Sequence, residues 1–347
     1  MTFSRARADA RDVRRSAERL IRDTLEIRPG ETVLISNDVD GDPNLADILR
    51  DTVDEAGAIA VVVTIPRISH PGAEIPKILR DAGKASDVWI ELNQMYIEGT
   101  VAHIEAEAAG LRRFYSLTGM DGSDLVAMID VNIEAVTRFG TRLVELTTGR
   151  STLRVTCANE SDLIASLEAN AVEQDTTLMP LGQTHIYPVP SSTRGRLVFD
   201  AWAFPPRTAG VLQQPVTVRF DDSGRARLDG DSAAAQEVIR WIDGVGDNDL
   251  QWICHVSYGF HPNVLRTHGG LVRDERIFGS LCVGFGTKMP YRSHLDFGLS
   301  RPTVQVDDYL LQRDGRYLDD ELAFLAADLG VPGYDRQNQN ISDRAGR

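Results

Sequence analysis

Cysteine is scarce in this chain of 347 residues, where Cys157, Cys254 and Cys282 stand far apart. Thiols so few and so spaced exclude a disulfide framework and a zinc motif, and are expected as reduced core residues. Positive charge is also in short supply, with 37 Lys and Arg against 51 Asp and Glu, a formal net charge of −14 and a pI near 5.0. Such a surface repels phosphate backbones and anionic bilayers, so neither nucleic acid nor membrane is expected as a partner. No apolar run reaches the roughly 18 residues that span a bilayer. The opening stretch, MTFSRARADARDVRRSAERL, lacks the apolar core of a signal peptide, and a cytoplasmic location is expected. Two nucleotide and hydrolase signatures are missing as well, the G-x-x-x-x-G-K-[ST] loop and the G-x-S-x-G elbow. GVGDND and GFGTK are glycine pairs outside the strand–turn–helix context of a dinucleotide fold.

The fold class expected is α/β, an N-terminal parallel-sheet α/β domain followed by a β-rich α+β metal-binding domain. Over residues 1–150, apolar strand runs alternate with helical spacing. The pattern predicts a helix over 8–26, strands over 31–36, 58–66, 87–92 and 112–118, and one long helix over 124–149. The run AIAVVVTIP (58–66) is continuous, short and β-branched, which predicts a buried parallel strand. From 151 to 335 period-two alternation dominates, as in STLRVTCA and RGRLVFDAWAF, and PVTVRFDDSGRARLDG predicts a hairpin. The last residues, 336–347, have little apolar content and are expected to form a flexible tail.

Of the seven histidines, four fall between 255 and 294. His103 lies in a Glu- and Ala-rich helix and is expected on its solvated face. His70 and His268 sit in a loop and a turn. His255 is different, because LQWICHVSYGFHP is an apolar, aromatic run in which both ring nitrogens need partners. His294 and Asp296, in YRSHLDFG, share one face of an extended segment. Two readings fit that pair, a solvated strand face or part of a metal site. Two histidines and one carboxylate on one side of an ion form the facial set of non-haem Fe(II) oxygenases, which leaves positions open for substrate and dioxygen.

At these residues the sequence resembles the 2,5-dihydroxypyridine 5,6-dioxygenase family, ring-opening enzymes of nicotinic acid breakdown, whose scaffold is shared with aminopeptidase T-type metallopeptidases. The matching stretches are CHVSYGFHP (254–262), FGSLCVGFG (278–286) and SHLDFGLSRPTVQVDD (293–308), with weaker likeness at IPRISHPGAEIP and MPLGQTHIYP. The resemblance implies that His255, His294 and Asp296 hold Fe(2+). It implies a small aromatic or N-heterocyclic substrate, O2 as co-substrate and assembly as a homo-oligomer. The related peptidases carry a glutamate at the place of His255 and a histidine at that of Cys282. The chain also departs from the dioxygenases at MPLGQTH, whose counterpart in that family is richer in tryptophan and histidine, so the substrate itself stays open.

His185 and His261 are the candidates for acid–base work, and Tyr258, Tyr291 and Arg292 for substrate binding, since they adjoin the metal motifs. A guanidinium such as Arg292 can hold a carboxylate through two hydrogen bonds. Ser280 and Gly284 are expected as packing and backbone-approach positions, and Cys282 as a core residue. Two other function classes remain, a metallohydrolase of the aminopeptidase type, for which Glu275 in RDERIFG is retained, and a non-catalytic binding protein.

Overall fold

A computed structural model describes residues 8–174, 181–206, 209–288 and 290–334. The tail expected over 336–347 lies outside the described residues, as do Met179 and Pro180 of the MPLGQTH stretch. The first half is built on four parallel strands in the order β2-β1-β3-β4. These are β1 (Thr32–Asp38), β2 (Ile59–Ile65), β3 (Val88–Glu91) and β4 (Arg113–Ser116), joined by α2 (Pro43–Glu55), α3 (Lys77–Lys84) and α4 (Val101–Ala109) and preceded by α1 (Ala10–Arg19). Local chemistry explains the ends. Asp42 accepts the amides of Asn44 and Leu45 just before Pro43 opens α2, a cap that satisfies otherwise orphaned donors. Gly110 closes α4 in the left-handed region, at φ 116°.

Three expectations for this half need correction. The helix predicted over 8–26 runs regularly only to Arg19 and continues as a π-helical turn over Leu20–Thr24. The strand over 58–66 is parallel but lies at the sheet edge, and Ile59 is 56% exposed. A β-branched run signals a strand, but not whether a neighbour covers its second edge. The long helix over 124–149 is two helices, α5 (Gly122–Ile129) and α6 (Ile133–Thr147). Asn132 breaks it, because its side chain accepts the Ala135 amide and starts a new helix.

The second half contains β5 (Thr152–Thr156), β6 (Asp162–Gln174), β7 (Gln183–Pro188), β8 (Arg194–Phe199), β9 (Trp202–Phe204), β10 (Val216–Phe220) and β11 (Ala226–Leu228). After α7 (Ala233–Val245) come β12 (Ile253–Gly259), α8 (Leu271–Asp274), β13 (Leu281–Gly286), β14 (His294–Leu299), β15 (Thr303–Val306), β16 (Tyr309–Arg313), β17 (Arg316–Tyr317) and α9 (Asp320–Asp328). The strands run β17-β16-β15-β5-β6-β7-β12-β13-β14-β9, and β8 with β10 and β11 branches off at β6. All these pairings are antiparallel. No helix among the described residues is long and apolar enough to cross a membrane.

Two apolar cores result. One joins α1 to α5 with the parallel sheet. The other fills the antiparallel half and includes Val136, Phe139 and Leu143 of α6, so the change of core falls near residue 130. Strands β12, β13 and β14 run between the two and are buried along their whole length. Val256, Tyr258, Val283, Phe285, Leu295 and Phe297 point into the second core. Cys282, with Trp202 and Phe204 of β9, belongs to the first. The functional side chains are on that same face, turned toward the N-terminal half.

Candidate metal centre

Strand register assembles the site. In β12, β13 and β14, His255 lies opposite Gly284, and Gly284 opposite Asp296. Neighbouring strands are about 4.8 Å apart, so the outer residues meet only if their side chains lean across the middle one. Glycine makes that possible, since a Cβ on Gly284 would sit 2.3 Å from Nε2 of His255. His294, two residues before Asp296, shares its face and lies opposite Gly286.

Three donor atoms converge there. Nε2 of His255 and Nε2 of His294 are 3.1 Å apart, and Oδ1 of Asp296 is 3.1 Å from the latter and 3.4 Å from the former. All three side chains are buried. Burial lowers the His255 ring to about 4 against the pull of Asp296, so it is neutral at neutral pH. Burial also works to raise the Asp296 carboxyl, but the two imidazoles outweigh it and hold the group below the usual carboxylate range. Nδ1 of His255 is 2.9 Å from Oγ of Ser257, and that oxygen is 2.7 Å from Nδ1 of His185. If His255 Nδ1 donates to the serine, Nε2 keeps its lone pair and the serine proton goes to His185.

The donor set fits a metal ion. Donors about 2.1 Å from one ion lie about 3.0 Å apart at right angles and about 3.4 Å at tetrahedral angles, which brackets the observed separations. With each ring proton on Nδ1 the three atoms all offer lone pairs, and packed this closely out of water they are stabilised by a cation between them and repel without one. Asp296 also has company beyond the trio. Its Oδ2 lies 3.5 Å from the Tyr96 hydroxyl, and its Oδ1 accepts from the Cys282 thiol at 3.5 Å. Burial holds that thiol far above its ordinary range, hence neutral.

The scaffold is shared with two solved enzymes. A 2,5-dihydroxypyridine dioxygenase from Pseudomonas putida KT2440 superposes with a TM-score of 0.72 at 16% identity, over 91% of this chain and 100% of that one. Wild-type AmpT from Thermus thermophilus superposes with a TM-score of 0.62 at 14% identity, over 90% of this chain and 100% of its own. No protein-family model and no curated protein sequence matches the chain. At such identities the likeness establishes the fold, an α/β half joined to a large antiparallel sheet.

Beyond His255, His294 and Asp296, the residues picked from sequence divide. His185 is half-buried, its ring 5.2 Å from that of His255. Tyr291 packs its ring 4.6 Å from His294, and its amide donates to Gly99 of the N-terminal half at 2.8 Å. Arg292 is exposed next to it. Tyr258 is not at the centre. It lies three residues after His255, so strand alternation sends it to the opposite face and the second core. His261 is not there either. Its Nε2 donates to the Met128 carbonyl at 3.0 Å, and its Nδ1 accepts the Asn263 amide at 3.3 Å. Both nitrogens are thus used, Nε2 in pinning α5 and Nδ1 in its own loop, and burial lowers the ring to about 3. His103 is buried, not solvated, with its ring 4.1 Å from that of Phe114.

Tyr96 is the site residue that sequence reasoning missed, and nothing in ELNQMYIEG marks it. Its loop is shaped by Glu91 at the end of β3, whose carboxylate oxygens accept the amides of Ile97 and Glu98. Burial pushes Glu91 up to about 8. That pattern, a buried acid folding the loop after a parallel strand, places Tyr96 beside a strand from the other half of the chain.

Proposed function

We propose that the chain is a mononuclear Fe(II) dioxygenase that opens a hydroxylated N-heterocycle or a related hydroxylated aromatic ring, with 2,5-dihydroxypyridine to N-formylmaleamate as the reference reaction. One observation carries the proposal, the convergence of two imidazoles and one ionised carboxylate within 3.4 Å of one another in a buried site. Ferrous iron held there supplies a Lewis acid for the substrate hydroxyl and the redox chemistry by which dioxygen reacts with a closed-shell ring. Both oxygen atoms enter the product.

The chain's own groups supply position and proton transfer. Ser257 fixes the tautomer and tilt of His255, the second-layer support usual for ligating histidines. Tyr291 walls the site beside His294, and its ring gives a flat substrate an aromatic surface. Arg292, exposed beside it, meets an anionic substituent. His185, whose Nδ1 accepts from Ser257, presents Nε2–H as a proton donor to the ring as it opens, a role supported by its half-buried place beside His255.

Reconstitution with Fe(II) under argon, followed by oxygen-electrode measurements with 2,5-dihydroxypyridine and hydroxylated aromatic acids, tests this. One O2 consumed per ring opened is the expected result. A hydrolase of the aminopeptidase T type is the second reading, favoured by Glu275 and Cys282, whose donor atoms group with Asp296 next to the trio. No uptake with any ring, together with amino-acid release from a peptide in Co²⁺ or Zn²⁺, would establish it instead.

A further inference from the structure

Asp296 belongs to two sets of potential ligands. One is His255, His294 and Asp296, and the other is Glu275, Cys282 and Asp296, whose donor atoms also lie within 4.8 Å of one another. An ion in the second set would share Asp296 with the first and make a two-metal centre, the arrangement used by co-catalytic hydrolases.

The surroundings of the second set oppose such an ion. Arg276 is 3% exposed and places Nη1 3.1 Å from Oε2 of Glu275 and 2.8 Å from the Val272 carbonyl. A guanidinium cannot shed its charge. The Glu275 side chain is 15% exposed, so water screens the pair poorly. The Cys282 thiol meanwhile spends its hydrogen on Oδ1 of Asp296, the oxygen that faces the two histidines. Of the three donors, one is already neutralised, one is a thiol bonded to the shared carboxylate, and the third serves the first centre. A second divalent ion would enter a buried site that holds a fixed cation and, once the first centre is loaded, another ion. Like charges in poor solvent repel strongly.

Building on the metal centre proposed at His255, His294 and Asp296, we propose that Arg276 is a built-in cation that closes the Glu275–Cys282–Asp296 set to metal and limits the centre to one ion. Arg276 touches neither substrate nor metal in this role. It acts through Glu275 and sets how many ions bind, and with that which chemistry the scaffold supports.

Metal stoichiometry tests the proposal without any activity assay. The full chain is dialysed anaerobically against excess Co²⁺, washed, and its bound metal counted by mass spectrometry. Wild type and Glu275→Gln are each expected to hold one ion per chain, and Cys282→His, which adds a ligand but leaves Arg276 in place, also one. Cys282→His/Arg276→Gln is expected to take up a second. Should that double variant fail to fold, Cys282→His decides, because a second ion bound beside an intact Arg276 overturns the proposal. Two ions in wild type falling to one in Glu275→Gln overturn it too, while the first centre stands. A folded double variant that still holds one ion removes Arg276 from the account. No ion in wild type sinks the metal centre itself, and this inference with it.

Discussion

The Tyr96 hydroxyl, on a loop of the N-terminal half, lies 3.5 Å from Oδ2 of Asp296 on β14, two hundred residues further along the chain. The Tyr96 ring is also 6.1 Å from the rings of both His294 and Tyr291. The face of the antiparallel sheet that carries His255, His294 and Asp296 is therefore completed by the other half of the molecule. Oδ2 faces this hydroxyl while Oδ1 faces the imidazoles, so Tyr96 orients the carboxylate.

Tyr96→Phe should weaken metal binding by about 10-fold, in line with loss of an outer partner of a ligand. Competition with a calibrated chelator measures this. An unchanged affinity would mean that the tyrosine is packing alone.

Gly284→Ala should abolish metal binding while the sheet persists. The added Cβ falls 2.3 Å from His255 Nε2, so the ring must leave its place over β13. Overpacking of this kind costs about 1–3 kcal/mol. Metal content together with thermal unfolding checks both parts, and an alanine variant that still holds its ion would remove the register argument.

Tyr258→Phe should leave metal content and oxygen uptake unchanged, because the side chain faces the second core and not the site. A stability change of about 1 kcal/mol or less is expected for the lost hydroxyl. A drop in turnover at unchanged metal content would place Tyr258 back among the substrate contacts.

His261 makes stability depend on pH. Its ring titrates at about 3 in the folded chain, against an ordinary 6.5, because of burial. The unfolded chain then binds more protons as acid is added, so this contribution is complete above about 6.5 and is lost as pH falls toward 3. Urea unfolding between pH 7 and 4.5 should show a slope smaller by up to one proton in His261→Gln than in wild type. Equal slopes would show that the ring is not neutral in the fold.

Much of the architecture was legible in the residues themselves. Apolar runs separated by helical spacing marked the parallel strands, since these signals act within a few residues. The period-two rule put His294 and Asp296 on one face and, applied from His255 as well, would have sent Tyr258 to the other. The edge position of β2 was not legible, because strand-forming residues look the same whether or not a neighbour is present. The break at Asn132 was a local signal that the helical spacing on both sides concealed.

By itself the sequence determined which side chains could ligate an ion and on which face of a strand each would stand, because backbone geometry carries that information along the chain. Only the tertiary structure decided that His255 and Asp296 meet across Gly284, that Nε2 of His261 is spent on the Met128 carbonyl of α5, and that Tyr96 and the Glu275–Arg276 pair lie around the centre. Those are contacts between segments tens to hundreds of residues apart. They follow from strand register and from the packing of two cores on either side of β12, β13 and β14, and no local propensity encodes either.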